Sequence, residues 1–383
     1  MTRVERPATT AEAAALIRDT GDLAVLIRGA GTKIGWGVPA ERTDLVIDTS
    51  GLSGVVEHAA GDLITVVRAG TPLSEVDLPG QQLALDPVVP GATVGGTVAA
   101  NVSGPRRMLY GTARDLLIGI TVVRPDGTVA HAGGKVVKNV AGYDLGKLFI
   151  GSYGTLGLIT ECVFRLHPRP AAGAVVRAAT DTPAEAGRLV AAVLGAQVVP
   201  AAIEVDAEPD GPVEVAVLVE GSAPGVRARV AALGKLLGPV TDGVPDWWGR
   251  LPWADGEVGI KLTAPLSGVA TLVAAARSAG VPVRGSAGAG VVYAGLAAGG
   301  AQGCAGQGAG EGTRPAEVAQ VVERLRAEAT RAGGHAVVLT APAEVRRIVD
   351  MWGPVRGLAL MRRVKEQFDP GRRFAPGRFV GGI

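Results

Sequence analysis

The chain has 383 residues, 47% of them hydrophobic, and its 38 Lys and Arg nearly balance 36 Asp and Glu for a net charge of +2. That is enough apolar chain for about two domains plus some extra, and too little net charge for the basic field of a nucleic-acid binder. The only two cysteines, Cys162 and Cys304, are far apart and form no CxxC, which excludes a disulfide framework and a zinc or iron–sulfur site built by this chain, and suggests a reducing compartment.

The opening residues, MTRVERPATTAEAAALIRDTGD, contain acidic residues and no apolar core of signal-peptide length. No apolar run reaches the roughly 18 residues of a membrane span, so the expectation is a cytoplasmic protein, at most peripheral to a membrane. Residues 9–20 read as a helix, with Thr10 as N-cap and Gly21 as its C-terminal stop. LAVLIR (23–28), DLVIDTS (44–50) and LITVVRAG (63–70) read as strands set off by Gly, Pro and Asp. TPLSEVDLP (71–79) reads as a brief helix, and 116–133 as a hairpin turning at Pro125, Asp126 and Gly127. Another strand, 156–168, ends at Pro168.

Beyond 173 strands and helices alternate: helices at 183–195, 224–238 and near 267–279, strands at 201–207, 213–221 and 257–264. This predicts a second α+β unit with an antiparallel sheet. Residues 285–312 are glycine-rich and low in complexity, which predicts a surface loop, mobile in part. A helix (314–334) and a strand (335–341) follow, then a basic helix and an extended end punctuated by Pro and Gly.

Three glycine-rich stretches stand out in the first 160 residues. The first, GAGTKIGWG (29–37), follows a strand and has Asp48 about twenty residues beyond Gly29, as a Rossmann dinucleotide site would. The match fails where the third glycine should open a helix, because Gly35, Trp36, Gly37 and Pro39 oppose one. No Gly-Lys-Ser/Thr follows, so a Walker A loop fails too. What remains is a turn whose amides can form an anion nest, with Lys33 as a possible charge partner. The second stretch is VPGATVGGTVAANVSG (89–104) and the third KNVAGYDLGKLFIGSYGTLGLIT (138–160). Each alone reads equally as a tight turn before a closely packed helix or buried strand; together they argue for one large ligand gripped mainly by main chain.

IRGAGT, VPGATVGGTVAANVSGPRRMLYGTARDLLIG, VVKNVAGYDLGKLFIGSYGTLGLITE and FDPGRRFAPGRF occur in that order. They resemble the vanillyl-alcohol oxidase / p-cresol methylhydroxylase (PCMH-type) flavoprotein superfamily, and within it the FAD-binding E subunits of bacterial glycolate oxidases. The likeness is dense over about 20–170 and at the C-terminus. It implies an α+β fold: a PCMH-type FAD-binding domain of two α+β subdomains (1–170), an α+β cap domain with an antiparallel sheet (171–345), and a C-terminal segment (346–383) returning to the first domain. Carried over by position, Arg28, Gly29, Ala30, Gly31, Thr32 and Lys33 would receive the FAD pyrophosphate. Pro90, Gly91, Ala92, Thr93, Gly95, Gly96, Ala99, Asn101 and Gly104 would line the cofactor, and Gly151, Gly154, Gly157 and Ile159 would continue the cleft.

Thr32 stands in the loop position where a flavin-attaching histidine often does, which implies non-covalent FAD. GSYG, with Tyr153, replaces a Gly-Ser-Glu-Gly stretch common in related dehydrogenases. The four histidines, His58, His131, His167 and His335, are too scattered to give the closely spaced pair that holds a metal in those relatives. The resemblance implies an FAD-dependent oxidoreductase subunit that oxidises a small 2-hydroxy acid, such as glycolate to glyoxylate, by hydride transfer to flavin, beside a sister FAD subunit and an iron–sulfur subunit. A non-catalytic flavin-binding or electron-relay subunit and a self-contained dehydrogenase or oxidase stay open. No residue takes a catalytic label. Arg106, Arg107 and Arg114 are available cations, read first as a solvated patch or phosphate contacts. Trp247, Trp248 and Trp253 read first as core, and Arg346, Arg347, Arg356, Arg362, Arg363 and Lys365 as a solvated face.

Overall fold

Thr9, one residue before the expected Thr10, caps the first helix: its hydroxyl accepts from the Glu12 amide, and the Glu12 carboxylate accepts in return from the Ala8 amide. The computed structural model describes residues 2–86, 88–135, 144–297 and 314–383. They fall into two units, the first made of Met1–Ser103, Tyr110–Arg169 and Val355–Ile383, the second of Gly104–Leu109 and Pro170–Pro354. Against the expected boundaries, 104–109 goes with the second unit and the C-terminal return begins at Val355.

The first unit has two layered parts. Strands β1 (Arg3–Glu5), β2 (Val25–Arg28) and β3 (Leu45–Asp48) form a parallel sheet in the order β1-β3-β2. Helix α1 (Thr10–Asp19) buries Ala13, Ala14 and Ile17 against Val25, Leu45 and Ile47 of that sheet. Strands β4 (Val55–Ala59), β5 (Ile64–Arg68), β7 (Leu117–Val123), β8 (Val129–Gly133) and β9 (Leu158–Arg165) form an antiparallel sheet, ordered β4-β5-β9-β7-β8. The short strands β6 (Gln81–Gln82) and β10 (His167–Pro168) pair separately. The hairpin β7–β8 turns as expected, with Gly127 at φ +77°. A side chain at Gly127 would also run into Arg18 of α1.

Helix α2 (Val94–Ala100) packs Val94 and Val98 into the core with Val67, Ile120, Phe149, Phe164 and Cys162. Burial pushes the Cys162 thiol well up, so it sits there as a small apolar group. Short helical turns α3 (Arg107–Tyr110), α4 (Ala113–Leu116) and α5 (Gly146–Phe149) follow. The helix expected at 71–79 shrinks to one 3₁₀ turn, Leu73–Glu75. Its backbone is engaged elsewhere: Leu73 donates to the Ala92 carbonyl and Val94 donates to the Thr71 carbonyl, both at 2.9 Å. Residues 136–143, which include the start of the third glycine stretch, lie outside the described residues.

In the second unit β11 (Ala172–Thr180), β12 (Ala202–Ala207), β13 (Val213–Gly221), β14 (Thr241–Asp242), β15 (Val258–Thr263), β16 (Val283–Ser286), β17 (Val291–Leu296) and β18 (His335–Thr340) form one sheet. Every pairing in it is antiparallel, in the order β14-β11-β13-β12-β16-β17-β15-β18. Helices α6 (Pro183–Gly195), α7 (Ala223–Leu237), α8 (Val269–Ser278) and α9 (Pro315–Arg331) pack against it, and α10 (Ala343–Arg346) packs on α9. The expected loop at 285–312 is corrected at its start: 291–296 is an inner strand, while 298–313 lies outside the described residues. Gly285 is there for close packing, since a Cβ would meet the Val291 carbonyl at 2.7 Å. Trp247 and Trp248 pack on Val175, Ala202 and Leu218, and the Trp253 ring covers Gly259, so all three are packing residues.

The chain then re-enters the first unit through α11 (Leu358–Phe368). Here the reading of one solvated basic face is corrected. Arg346 belongs to α10 in the other unit, and Lys365 is buried. Lys365 Nζ donates to Asp369 Oδ2 and the Thr155 carbonyl, both at 2.7 Å, and to the Phe374 carbonyl at 3.0 Å. Asp369, fully buried, also accepts from the Arg373 amide at 3.0 Å and the Phe374 amide at 2.8 Å. Burial pulls the Lys365 ammonium below its ordinary range while Asp369 opposes that shift. Asp369→Ala leaves this ammonium buried with no counter-ion and should cost about 3–5 kcal/mol in urea unfolding, whereas replacing both partners by apolar residues, Lys365→Met with Asp369→Leu, should cost less than that single change.

Candidate functional site

Strand β2 delivers Arg28 to its C-terminal end, and the chain breaks at Gly29 into a run of turns, not a helix. Ile34 donates to the Gly31 carbonyl at 3.0 Å and Trp36 to the Lys33 carbonyl at 3.1 Å, with Gly31 at φ +79° and Gly37 at φ +75°. The Rossmann reading is thus excluded in the backbone itself. Asp48, its would-be ribose acid, lies beside Arg28 on β3 and pairs with it at 3.1 Å. Burial raises the Asp48 carboxyl, but the Ser50 amide and hydroxyl and Arg28 outweigh that and hold it below its ordinary range.

The loop has no helix behind it, and the C-terminal tail holds it instead. Arg378 Nη2 donates to the carbonyls of Ile34 at 2.9 Å, Lys33 at 3.3 Å and Trp36 at 3.3 Å. Gly29 packs against the start of α2: a Cβ there would lie 2.4 Å from Thr93 Oγ1, the hydroxyl that caps α2 by accepting from the Gly96 amide at 3.2 Å. A Cβ on Gly95 would come within 2.6 Å of the Ala69 methyl, and one on Gly157 within 3.0 Å of the Phe149 ring. Gly95 and Gly157 are therefore required first by packing between elements, whatever else they admit.

These elements surround a cleft of ≈ 710 Å³, counting its solvent-filled mouth. Of the residues singled out in the sequence, Arg28, Gly29, Ala30, Gly31, Thr32 and Lys33 line it, with Thr93, Gly95, Gly96, Ala99, Gly154, Gly157 and Ile159. Six do not. Pro90 and Gly91 are exposed, with Gly91 at φ +71° turning past the Thr32 methyl. Ala92 is buried, its carbonyl taken by Leu73. Asn101 ends α2 in the left-handed region, φ +50°, and the Gly151 amide docks on the Val98 carbonyl at 3.1 Å. Gly104 falls in the second unit.

Ile27, Ile34, Thr49, Ala69, Ala100, Tyr153 and Arg378 also line the cleft without having been assigned individually as site residues from the sequence. Arg378 lies in the quoted FAPGRF motif, but its target is 345 positions away and left no local signal. Tyr153 takes φ +55°, donates its amide to the Ala99 carbonyl at 2.9 Å and lies 5.7 Å from the Phe379 ring.

The cleft wall carries three cations, Arg28, Lys33 and Arg378, and among the described residues no Asp, Glu or His. Lys33 is 9% exposed, and its Nζ lies 3.2 Å from Thr32 Oγ1. Burial lowers its pKa to about 8. The other cations singled out are engaged within their own units: Arg106 with Glu220 at 2.9 Å, Arg107 with the Tyr293 hydroxyl at 3.3 Å, Arg114 with the Lys147 carbonyl at 3.4 Å. His58 bonds Gln81, His131 bonds Thr121, and His167 lies 4.7 Å from the Tyr110 ring. Among the described residues no three His, Cys, Asp or Glu could hold a metal together, and no helix is long and apolar enough to cross a membrane.

Residues 2–133 match the family model described as an FAD binding domain. The fold agrees with the α+β expectation, including the antiparallel sheet of the second unit. It is similar to alkyldihydroxyacetonephosphate synthase (TM-score 0.67, 16% identity, covering 97% of this chain and 75% of that one). Likewise chitooligosaccharide oxidase matches with TM-score 0.65 and 17% identity, over 97% of this chain and 89% of that one. In sequence the chain is 38% identical over 159 residues to glycolate oxidase subunit GlcE of Escherichia coli, covering 40% of this chain and 45% of that one. It is 32% identical over 185 residues to glycolate oxidase subunit GlcD of Bacillus subtilis (47% and 39%), and 33% identical over 172 residues to a D-lactate dehydrogenase of Archaeoglobus fulgidus (43% and 39%). The chain thus spans less than half the length of these curated relatives.

If the glycine at position 29 is set by Thr93, the two sites must be coupled. Gly29→Ala should lower the melting temperature by several degrees, of the order of 1–3 kcal/mol for a local overpacking. In a Thr93→Ala background, where the offending hydroxyl is gone, the same change should cost markedly less; equal costs in both backgrounds would remove this account of the glycine.

Proposed function

We propose that the chain binds FAD non-covalently in this cleft and serves as a flavin subunit of an assembly that oxidises a small 2-hydroxy acid, such as glycolate to glyoxylate. The observation that carries this reading is a glycine turn pinned from behind by Arg378, in a wall with three cations and, among the described residues, no carboxylate. Such a wall suits a pyrophosphate held by main-chain amides, and Ile27, Ala99 and Ile159 supply apolar surface for flat rings. Thr32, rather than a histidine, stands in the loop, which fits non-covalent holding.

When bound, FAD supplies a two-electron acceptor for the substrate's hydride. The chain's own residues do the holding. Arg378 keeps the loop carbonyls on one side, Asp48 keeps Arg28 in place, and α2 sets the floor through Thr93. The same wall favours a second reading, since it offers no carboxylate or imidazole among the described residues to take the hydroxyl proton. On that reading the chain holds flavin or relays electrons, while a sister FAD subunit performs the oxidation and an iron–sulfur subunit accepts the electrons. Similarity to two glycolate oxidase subunits supports such partners. The assembly's place is then the cytoplasm or the inner face of the membrane.

Purified alone under anaerobic conditions, the chain should show a bound-flavin visible spectrum that is released on denaturation. Bleaching by glycolate or D-lactate marks the chain as competent by itself. A stable spectrum that bleaches only with the sister subunits marks the holding role. No flavin after reconstitution with FAD removes the cofactor assignment.

A further inference from the structure

The three cations of the cleft wall are not equivalent. Arg28 is committed to Asp48, and Arg378 donates to three loop carbonyls. Lys33 is nine-tenths buried and lines the same cleft, and its Nζ has only the neutral Thr32 hydroxyl as hydrogen-bond partner among the described residues. The other charged and titratable groups that line the cleft are Arg28 from β2, Tyr153 from the turn before β9 and Arg378 from the tail. Of the carboxylates near the loop, Asp48 serves Arg28 and Glu41 lies against Gly377. A buried ammonium without a counter-ion is costly and sheds its proton readily unless an anion joins it.

Resting on the FAD reading above, we propose that Lys33 is the specificity-determining charge of the cleft: it selects flavins that carry a pyrophosphate over those that do not, and its protonation is completed by the arriving ligand. The sign of the pH dependence follows. With Lys33 lowered to about 8 in the free cleft, the site below that pH is already charged and affinity is flat. Above it the free site is mostly neutral, each binding event takes up a proton, and affinity falls as pH rises. The pyrophosphate diester keeps its charges throughout this range, so the titrating group belongs to the protein.

Calorimetric titration of the flavin-stripped full chain with FAD, in two buffers of different ionisation enthalpy, reads that proton directly. The expected uptake is roughly three-quarters of a proton per FAD at pH 8.5 and close to none at pH 6.5. Riboflavin should bind with no uptake at either pH. Lys33→Met should weaken FAD about 10- to 100-fold at pH 7 while leaving riboflavin within about 2-fold. Lys33→Arg, whose charge does not titrate, should retain FAD at pH 8.5 and abolish the uptake. Wild-type uptake stands as a test even if a variant fails to fold. Tight FAD binding with no uptake at pH 8.5, or with equal losses for FAD and riboflavin in Lys33→Met, overturns the role of Lys33. Failure of the wild type to bind any flavin overturns the underlying FAD reading instead.

Discussion

The buried carboxylate of Asp369 is the contact on which the first unit's arrangement turns. It gathers the Lys365 ammonium and the amides of Arg373 and Phe374, which forces the chain leaving α11 to double back at once. The three hydrogens of Lys365 find three acceptors, so neither partner is left wanting in the interior. A buried pair of this kind adds little net stability compared with apolar residues of the same volume. Its value here is directional: only this turn carries Phe374 into the core beside Val25 and Leu45. There the tail pairs with β2, Val25 donating to the Arg373 carbonyl and Ala375 to the Val25 carbonyl, each at 2.8 Å.

From that anchor the tail reaches two distant places. The Arg373 guanidinium donates to the Pro125 carbonyl at 2.7 Å and Thr20 Oγ1 at 2.8 Å, tying the β7–β8 turn to the end of α1. Four residues on, Gly377 passes Glu41, and Arg378 closes on the glycine loop. A dinucleotide loop of the Rossmann kind is steadied by the helix that follows it. Here the loop is steadied by side-chain donors from the other end of the chain, and its sequence is therefore free of any need to propagate a helix. That explains how Gly35, Trp36, Gly37 and Pro39 are tolerated directly behind the glycine turn that lines the cleft.

What was legible in the sequence was what depends on neighbours in the chain. The β7–β8 hairpin declared itself by Pro125, Asp126 and Gly127, the second sheet by alternating runs, and the loop after β2 by glycines that refuse a helix. What depends on distant partners was not. β1 has three residues and its strand character comes from β3; β4 leaves Val55 and Val56 exposed and so shows no buried face. Glycine content suggested a loop where β17 runs inside the sheet, because Gly285 and Gly295 are there to let other backbone approach. Lys365 looked like one more surface cation until its partners were seen. The resemblance supplied the cleft from both ends of the chain, yet position alone could not separate Gly29, which lines it, from Gly151, which docks α2 behind it.

Charge is distributed with the same division of labour. In the second unit the sheet's charged groups answer one another: Arg106 with Glu220, Arg177 with Glu214 at 3.2 Å, Arg284 with Asp206 at 2.7 Å. Burial raises the Asp206 carboxyl against the pull of Arg284, a mark of a pair held for structure. In the first unit Arg28 and Arg378 are likewise spent, one on a carboxylate and the other on carbonyls. Arg28 has its charge answered by a carboxylate, whereas Arg378, bonded to neutral carbonyls, keeps its charge while its Nη2 holds the loop. Lys33, on the loop itself, carries the third charge of the cleft: burial lowers its pKa to about 8, so it is mostly protonated at neutral pH yet yields its proton more readily than an exposed lysine.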